Sequence, residues 1–498
     1  MSGILLGYDV GSSSIKAAAL DAESGACLAA AASPERELAI DSPRPGWAEQ
    51  DPAVWWEHVV RATRLLARQV ALAGVQAVGI SYQMHGLVCL DKAGRVLRPA
   101  IIWCDSRAVA IGERAFQALG PERCLSHLLN SPGNFTASKL AWVRENEPAV
   151  FARVHQVLLP GDYIAFRLTG EARTTTSGLS EAILWDFREG SIASFLLEHY
   201  GIPAAMLPPA APNFSLQGGL SAEAAAELGL PAGAPVSYRA GDQPNNALSL
   251  NVLEPGEIAA TAGTSGVVYG VGDRAAFDPA SRVNSFVHVN HALQRPRYGT
   301  LLCVNGTAIL NSWLRHNVLA GKGESLSYEE MNALAAEAPP GSDGLIILPF
   351  GNGAERTLEN RNPGASIHGL SFTRHTRAHL LRAAQEGIVF ALRHGLQIMA
   401  GMGLRPSRVR AGNANMFLSP LFAEAFATAS GAAVELYNTD GAQGAARGAG
   451  IGAGLHTARS AFAGLDRVRV VEPSPQLKEP YEEAYGRWQA ALRGVLAG

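Results

Sequence analysis

The chain has 498 residues, of which 47% are hydrophobic and 17% charged, with a formal net charge of -3. A chain of this length exceeds what one hydrophobic core normally supports, so we expect at least two large domains with a cleft between them. The small net charge argues against a surface that binds polyanions, and we expect no nucleic-acid partner.

Cysteine usage and the amino-terminal residues bear on the cellular compartment. The five cysteines, an odd number, are scattered without a CxxC spacing, which favours reduced thiols over disulfides or a zinc site. The chain leads into an apolar strand without a basic segment or an apolar run long enough for a signal peptide or a membrane span. We therefore expect a cytoplasmic protein that does not insert into a membrane.

The first part of the chain alternates predicted strands with predicted helices. Asp51 before Pro52 is typical of a helix N-cap followed by the first helical residue. The order of elements predicts a sheet with helices packed on it. We predict strands over 4–10, 75–81, 101–103 and 156–159, and helices over 52–72, 138–145 and 163–168.

After Pro255 the same order starts again, with a strand, a glycine turn and a second strand. Apolar residues recur every three or four positions over 377–403, which predicts a long helix. A helix over 441–454 is rich in Gly and Ala, so it can pack closely against a neighbour or a ligand. The restart predicts a duplicated architecture, with domains over 1–247 and 248–498. Further strands are predicted over 301–304, 344–348 and 409–411, and a helix over 418–430.

Two loops rich in glycine and hydroxyl groups lie at matching places in this pattern, each between two apolar strands. Glycine permits a close backbone approach, so N–H groups and hydroxyls can converge on an anion. One such loop could be an ordinary hairpin, whereas two in matching settings predict a duplicated nucleotide-binding domain. The candidate phosphate ligands are Gly11, Ser12, Ser13 and Lys16 in the first loop and Gly263, Thr264, Ser265 and Gly266 in the second.

Two aspartates are candidates for the chemistry of phosphoryl transfer, which needs phosphate anchors, a divalent metal and a carboxylate that orients the nucleophile. Asp9 lies near the end of the first strand, where it can hold Mg²⁺ or, alternatively, only form the turn. Asp242 follows a predicted strand and precedes a helix, which suits a general base and a second metal-linked carboxylate. Its structural alternative is a helix cap.

Two further segments that follow strands carry groups suited to a polyhydroxyl ligand. The first, over 83–85, holds neutral donors and acceptors, although its histidine could instead be a satisfied loop residue. The second, over 103–107, fits either a sugar contact or a buried ion pair. The candidate sugar ligands are Gln83, Met84, His85, Trp103, Asp105 and Arg107, together with Asp242.

A turn near the carboxyl end could receive the nucleoside of ATP. Gly412, Asn413 and Asn415 follow a predicted strand, so an adenine or a ribose could lie against this backbone. A helix-entry turn is the alternative. Neither a Walker P-loop nor a dinucleotide GxGxxG with its distal acid is evident.

Taken together, these motifs resemble those of the FGGY carbohydrate kinases, and within that family most closely those of the xylulokinases. Residues 7–16 look like the family's first phosphate motif, and 81–86 is similar to its Gln-Met-His-Gly segment. Residues 134–146 and 365–386 resemble the two family signatures. The resemblance spans nearly the whole chain.

The resemblance implies an α/β fold of two actin-like, ribonuclease H-like ATPase domains with a central cleft. It also implies dependence on ATP and Mg²⁺ and phosphorylation of an open-chain ketopentose at its terminal hydroxyl, with D-xylulose converted to D-xylulose 5-phosphate. Asp242 would be the catalytic base and Asp9 a metal-linked residue. Met84 and His85 would contact the sugar, and residues 264–266 would hold the terminal phosphates. We also expect the domains to close on the sugar, because water would otherwise compete for the phosphoryl group.

Some features leave alternatives open. Residues 412–415 depart from the commoner triple-glycine loop of the family, and residues 174–181 depart from its usual acidic turn. A kinase for another ketose, such as ribulose, or for an alditol remains open, although Gln83-Met84 replaces the Arg-Glu pair of glycerol kinases. A nucleotide-binding protein without sugar turnover would leave Asp242 and His85 unexplained. The expected partners are a sugar and ATP, and the oligomeric state is open, including a homodimer.

Overall fold

The computed structural model describes residues 3–319 and 326–497. Its strands are β1 (Ile4–Val10), β2 (Ile15–Asp21), β3 (Cys27–Ser33), β4 (Glu49–Gln50), β5 (Val75–Tyr82), β6 (Val88–Leu90), β7 (Ala100–Ile101), β8 (Gln156–Leu158), β9 (Thr174–Thr175), β10 (Trp185–Asp186), β11 (Ser191–Ile192), β12 (Ala210–Ala211), β13 (Val236–Gly241), β14 (Glu257–Ala262), β15 (Gly266–Gly272), β16 (Asn284–Val287), β17 (Tyr298–Val304), β18 (Ile346–Phe350), β19 (Gly364–His368), β20 (Arg408–Gly412), β21 (Val434–Tyr437) and β22 (Arg467–Val471). Its α-helices are α1 (Pro52–Ala67), α2 (Val109–Leu119), α3 (Pro121–Leu128), α4 (Thr136–Asn146), α5 (Pro148–Phe151), α6 (Pro160–Thr169), α7 (Thr176–Glu181), α8 (Ser194–Tyr200), α9 (Ala222–Leu228), α10 (Asp242–Ser249), α11 (Ala308–Trp313), α12 (Tyr328–Ala336), α13 (Arg377–Gly401), α14 (Pro420–Ser430), α15 (Gly441–Gly452) and α16 (Pro475–Ala497).

The N-terminal half (residues 3–249) is built on a five-stranded sheet in the order β13-β5-β1-β2-β3. The first three strands in sequence, β1, β2 and β3, pair antiparallel. Strand β5 then pairs parallel with β1, and β13 pairs parallel with β5. The central strands β1 and β5 are almost entirely buried, as expected of strands covered on both faces.

The C-terminal half (residues 250–497) repeats this plan in a seven-stranded sheet, in the order β16-β17-β15-β14-β20-β21-β22. Strands β14, β15 and β17 pair antiparallel, and β20 and β21 continue in parallel from β14. Strands β16 and β22 are additions at the two edges. The predicted duplicated α/β fold is therefore confirmed.

Helix α15 belongs to the C-terminal half in sequence but packs on the sheet of the N-terminal half. A Cβ atom on Gly7 would lie 1.9 Å from the main-chain oxygen of Ala442, and one on Gly79 would lie 2.0 Å from that of Ala445. Only glycine allows the helix backbone to approach β1 and β5 this closely. The Gly- and Ala-rich sequence thus serves close packing against a neighbouring sheet.

Helices α10 and α15 also pack against each other, which joins the two halves. The Asn245 side chain donates to the main-chain oxygen of Gly441 at 2.8 Å, and Ser249 Oγ donates to that of Asp440 at 2.8 Å. The predicted division between residues 247 and 248 falls within α10. The position at which the domains part therefore stays a prediction.

Several predicted boundaries shift by a few residues for local reasons. Asp51 accepts from the Ala53 N–H at 2.9 Å and caps α1 as expected. Helix α14 begins at Pro420 instead of residue 418, because Ser419 caps it after a 3-10 turn over Asn415–Leu418. In the described part of the chain no cysteine forms a disulfide, and no helix is long and apolar enough to cross a membrane.

Candidate active site

The carboxyl ends of β1, β5 and β13 lie side by side at one edge of the N-terminal sheet. This edge carries Asp9 on β1, Ser81 on β5 and Asp242 directly after β13. Ser81 Oγ donates to Asp9 Oδ1 at 2.7 Å, which fixes the orientation of that carboxylate. Parallel sheets commonly bind ligands outside the carboxyl ends of their strands, so this edge is the candidate site of chemistry.

Asp242 is the first residue of α10, and Gly241 is the N-cap. Burial raises the pKa of Asp242 to about 7, and the negative charge of Asp9 adds to this increase. A carboxylate with a pKa close to neutrality is well suited to accept a proton from a hydroxyl group at physiological pH. Because Gly241 holds the cap position, the alternative of a helix cap does not describe Asp242, and its role as general base stays a prediction.

Asp9 lies in a similar electrostatic environment. Burial raises its pKa, and the charge of Asp440 acts in the same direction, whereas the hydrogen bond from Ser81 and the charge of Lys16 oppose the increase. Lys16 is exposed and lies opposite Asp9 in the pairing of β1 with β2. The two candidate metal-linked carboxylates therefore repel each other, which a divalent cation between them would relieve.

The candidate carboxylate ligands suit a metal ion that is bound partly by the protein and partly by the phosphates of the nucleotide. Within residues 3–319 and 326–497, no group of three or more His, Cys, Asp or Glu side chains could hold a metal ion by itself. Mg²⁺ usually binds through one or two carboxylates, several waters and the phosphates of the nucleotide. Asp9 and Asp242 fit this pattern of ligation.

The segment over 83–86 holds His85 in a defined tautomer. Burial lowers the pKa of His85 to about 3, so the imidazole is neutral, and its Nδ1 donates to the main-chain oxygen of Glu181 at 2.9 Å. The other ring nitrogen, Nε2, is then an acceptor. His85 is thus able to accept a hydrogen bond from a sugar hydroxyl.

Met84 lies against the backbone that leads into Asp242. A Cβ atom on Gly241 would lie 2.5 Å from Met84 Cγ and 2.4 Å from Glu181 Oε2. Gln83 Nε2 donates to Gln50 Oε1 at 3.4 Å. The structure therefore brings the predicted sugar segment and the predicted base together.

Lys139 was not among the predicted site residues, although it lies in the segment that resembles the first family signature. Its Nζ donates to the main-chain oxygens of His85 and Ile102, both at 2.9 Å. Burial lowers the pKa of Lys139 to about 7. Lys139 therefore ties together the two segments that carry the candidate sugar ligands.

The second of these segments forms a buried ion pair. Arg107 Nη2 lies 2.7 Å from Asp105 Oδ2, and Arg107 Nη1 lies 2.7 Å from Glu49 Oε1. The guanidinium group also lies 3.7 Å from the ring centroid of Trp47. This geometry is that of a buried ion pair, which was the alternative to a sugar contact for residues 103–107. Direct contacts of Asp105 and Arg107 with a sugar therefore stay predictions.

Trp103 connects the sugar segments to the first loop. It is 44% exposed, and its Nε1 donates to Ser12 Oγ at 3.2 Å. The Gly11 N–H donates to the main-chain oxygen of Ser14 at 3.1 Å, which closes the turn, while Ser13 at its tip is exposed. The first loop is therefore a tight hairpin turn beside Asp9, as predicted.

The second loop is braced from the strand and helix that follow it. Thr307 Oγ1 donates to the main-chain oxygens of Gly263 and Thr264 at 2.8 and 3.1 Å. Ser265 Oγ donates to Asn305 Oδ1 at 3.3 Å. These bonds fix the backbone of the predicted phosphate loop.

The turn over 412–415 adjoins this second loop. A Cβ atom on Gly263 would lie 3.5 Å from Asn415 Nδ2, and one on Gly412 would meet no atom within 4 Å. The Asn413 N–H donates to the main-chain oxygen of Tyr437 at 2.8 Å. The candidate nucleoside turn and the second candidate phosphate loop are therefore neighbours, with open space over Gly412.

Sequence reasoning also missed Glu181 and Tyr82. Glu181 is 1% exposed, and burial raises the pKa of its carboxyl well above the ordinary value, with the charges of Asp242 and Asp162 adding to the increase. The hydroxyl of Tyr82, which is also buried, acts in the opposite direction and lowers this pKa. The signal in the sequence that could have drawn attention to Glu181 was the departure of residues 174–181 from the acidic turn that is usual in the family.

A duplicated α/β fold with two carboxylates at the carboxyl edge of its first sheet and a glycine-hydroxyl loop in each half is typical of the class of actin-like phosphotransferases. Comparison with known proteins defines the family. Residues 4–249 match the N-terminal domain of the FGGY family of carbohydrate kinases, and residues 258–455 match the C-terminal domain of that family. The chain belongs to the FGGY family of carbohydrate kinases, and it is an enzyme that uses ATP to phosphorylate a sugar.

Its relatives include several kinases of five-carbon ketoses. The xylulose kinase of Escherichia coli K12 is 32% identical over 407 residues, which cover 81% of this chain and 80% of the relative. The L-xylulose/3-keto-L-gulonate kinase of the same organism is 31% identical over 518 residues, which cover 100% and 99%. The crystal structure of a xylulose kinase from Rhodospirillum rubrum superimposes with a TM-score of 0.88 at 28% identity, covering 99% of this chain and 100% of that one.

Proposed function

We propose that this carbohydrate kinase transfers the terminal phosphoryl group of ATP, with Mg²⁺, to the terminal hydroxyl of a neutral ketopentose. The preferred substrate is D-xylulose and the product D-xylulose 5-phosphate. The observation that carries the proposal is the Asp242 carboxyl, with its pKa of about 7, beside Asp9 and next to the packed Met84 side chain. The names of the relatives support the choice of xylulose.

In this mechanism the residues of the chain divide the work. Asp242 accepts the proton of the attacking hydroxyl, and the neutral His85 accepts a hydrogen bond from another hydroxyl of the sugar. The turn at Gly11–Ser13 and the loop at Gly263–Gly266 donate backbone and hydroxyl hydrogen bonds to the phosphates. Mg²⁺, held by Asp9 and Asp242 with the nucleotide, would neutralise the phosphate charge.

The charges near the site favour a neutral sugar over a sugar acid. Lys139 donates to two main-chain oxygens, and Arg107 is paired with Asp105 and Glu49. Asp242 and the buried Glu181 add carboxyl groups beside the sugar segment. A carboxylate on the substrate would meet these carboxyl groups, although the charge of Arg356, which also lowers the pKa of His85, would oppose that repulsion.

L-Xylulose is the second candidate, because the relative that covers the full length of the chain is named for L-xylulose and 3-keto-L-gulonate. The two xyluloses differ only in stereochemistry, so the charge argument does not separate them. It does disfavour 3-keto-L-gulonate, which carries a carboxylate. The choice between the enantiomers therefore depends on measurement.

A panel of acceptors tests the proposal. ADP release is measured with D-xylulose, L-xylulose, D-ribulose, 3-keto-L-gulonate and glycerol, with and without Mg²⁺. We expect D-xylulose to give the highest kcat/KM and the metal-free reaction to be negligible. A much higher kcat/KM for another acceptor would refute the choice of D-xylulose, and no turnover with any acceptor would refute the kinase mechanism.

The cytoplasmic location, a homodimer and the closure of the domains on the sugar stay predictions. Closure is tested by small-angle scattering with and without the preferred sugar and a non-hydrolysable nucleotide. Identical scattering curves would contradict a large movement.

A further inference from the structure

Strand β16, at the edge of the C-terminal sheet, makes hydrogen bonds to the N-terminal half. The Ser285 N–H donates to Asn130 Oδ1 at 3.0 Å, and Asn130 Nδ2 donates to the Ser285 main-chain oxygen at 2.7 Å. Two residues further on, the Val287 N–H donates to Ser180 Oγ at 3.0 Å. Polar groups that an edge strand would leave unpaired are thus satisfied by side chains of the other half.

Between these hydrogen bonds, Phe286 points at the candidate sugar segment. Its ring centroid lies 5.5 Å from that of His85 and 6.1 Å from that of Phe135. The rings of His85 and Phe135 are themselves 4.7 Å apart and nearly perpendicular. Phe286 is 1% exposed, so its ring is buried within this cluster of three rings.

The backbone of His85 needs such support. Its φ is +60°, which lies in the left-handed region that residues other than glycine rarely adopt. A residue persists in this conformation only when its surroundings fix it. The hydrogen bond from His85 Nδ1 to Glu181 fixes one side of the ring, and Phe135 and Phe286 pack against the ring itself.

We propose that Phe286 is a positioning residue of the sugar site, supplied by the C-terminal half. Its ring holds the His85 imidazole so that Nε2 faces the sugar hydroxyls. This inference rests on the proposed function, since it takes His85 as a sugar ligand. It implies that sugar recognition, which sequence motifs assign to the N-terminal half, is complete only when the C-terminal half is in contact.

The experiment compares two substitutions at Phe286 with a matched control. Phe286→Leu keeps an apolar side chain of similar size and is the main variant, and Phe286→Ala removes the ring entirely. The control is Phe187→Ala, because Phe187 packs on Tyr298 with ring centroids 5.8 Å apart at another contact between the halves. Circular dichroism and thermal unfolding verify that each variant is folded.

The variants are assayed with the acceptor that gives the highest kcat/KM with the wild-type protein. If the wild-type protein phosphorylates no acceptor, the proposed function has failed before any variant is assayed. KM for the sugar and KM for ATP are then measured separately. We expect Phe286→Leu to raise KM for the sugar about tenfold while KM for ATP stays within about twofold of wild type. Phe187→Ala is expected to leave both values near wild type.

Two results would overturn the inference. One is a folded Phe286→Leu variant whose KM for the sugar is unchanged. The other is a parallel rise of both KM values, because a general loss of contact between the halves would affect both substrates. Where Phe286→Ala does not fold, the Leu variant alone decides.

Discussion

The hairpin of β1 and β2 and the hairpin of β14 and β15 have the same antiparallel arrangement, but different residues surround them. Strand β1 carries Asp9, which accepts from Ser81 at 2.7 Å and interacts with Asp242. At the matching place, one residue before the end of β14, the chain has Thr261, and the loop that follows is held by the hydroxyl of Thr307. The two hairpins therefore share an antiparallel pairing, but of these two matching positions only the one in β1 carries a carboxylate.

The same contrast holds where a helix follows the last parallel strand of each sheet. Asp242 is the first residue of α10 and lies beyond the cap position. Asp440 precedes α15 and caps it, with Oδ1 accepting from the Gln443 N–H at 2.9 Å. Asp440 therefore caps its helix, whereas Asp242 does not, and the charge of Asp440 also raises the pKa of Asp9.

The largest effect is expected from a parallel substitution of these two aspartates. Asp242→Asn removes the proposed base and should lower kcat by about three to four orders of magnitude, while ATP binding persists. Asp440→Asn keeps an oxygen that can cap α15 and removes only a charge that raises the pKa of Asp9, so we expect kcat to fall less than about tenfold. The measurements are kcat and the Kd for ATP. Equal losses of kcat in both variants would contradict this difference between the two aspartates.

A pH profile tests the electrostatic side of the comparison. The base must be deprotonated, and the pKa of Asp242 is about 7 without a bound metal, so kcat/KM for the sugar should fall as the pH drops. Because Mg²⁺ held by Asp242 would lower this pKa, the fall should lie below pH 7 when the metal is present. The negative charge of Asp9 raises this pKa, so Asp9→Asn should move the fall to lower pH, with a lower maximal rate.

Another group in the site also titrates near neutrality. Lys139 has a pKa of about 7, but it loses its charge as the pH rises. Its titration therefore cannot account for a fall in kcat/KM at acidic pH that moves to lower pH in the Asp9→Asn variant. An acidic limb that stays in place in the Asp9→Asn variant would contradict the coupling of the two carboxylates.

The smallest effect is expected in the C-terminal half. Ser265→Ala removes the hydroxyl that fixes the second loop through Asn305, and KM for ATP should rise about threefold with KM for the sugar unchanged. Ser126→Ala, which removes an exposed hydroxyl of α3, is the matched control. A change in KM for the sugar but not for ATP would show that the second loop does not serve the nucleotide.

Local signals predicted the fold well, whereas long-range contacts escaped them. The cap at Asp51 and the two hairpins follow from neighbouring residues, and the structure confirms them. The seat of α15 on the N-terminal sheet and the approach of Phe286 to His85 depend on residues about 200 or more positions apart. No periodicity or spacing in the chain encodes such a contact.

The candidate site divides in the same way. Asp9 lies near the end of a predicted strand, Asp242 and the segment over 83–85 follow predicted strands, and the structure brings them together. The ion pair of Asp105 and Arg107 could not be distinguished from a ligand site by composition alone, since both need the same residue types. Their roles toward substrates stay predictions.

The seat of α15 has a consequence for dividing the gene. A fragment that ends at residue 249 would lack the helix that covers one face of its sheet, and would expose Leu5, Tyr238 and Ala240, which now pack with the alanines of α15. The glycines of β1 and β5 would then face solvent, because the backbone of α15 that packs closely against them would be absent. Separate expression of the two halves should therefore give poorly soluble products, whereas co-expression offers each fragment its missing surface.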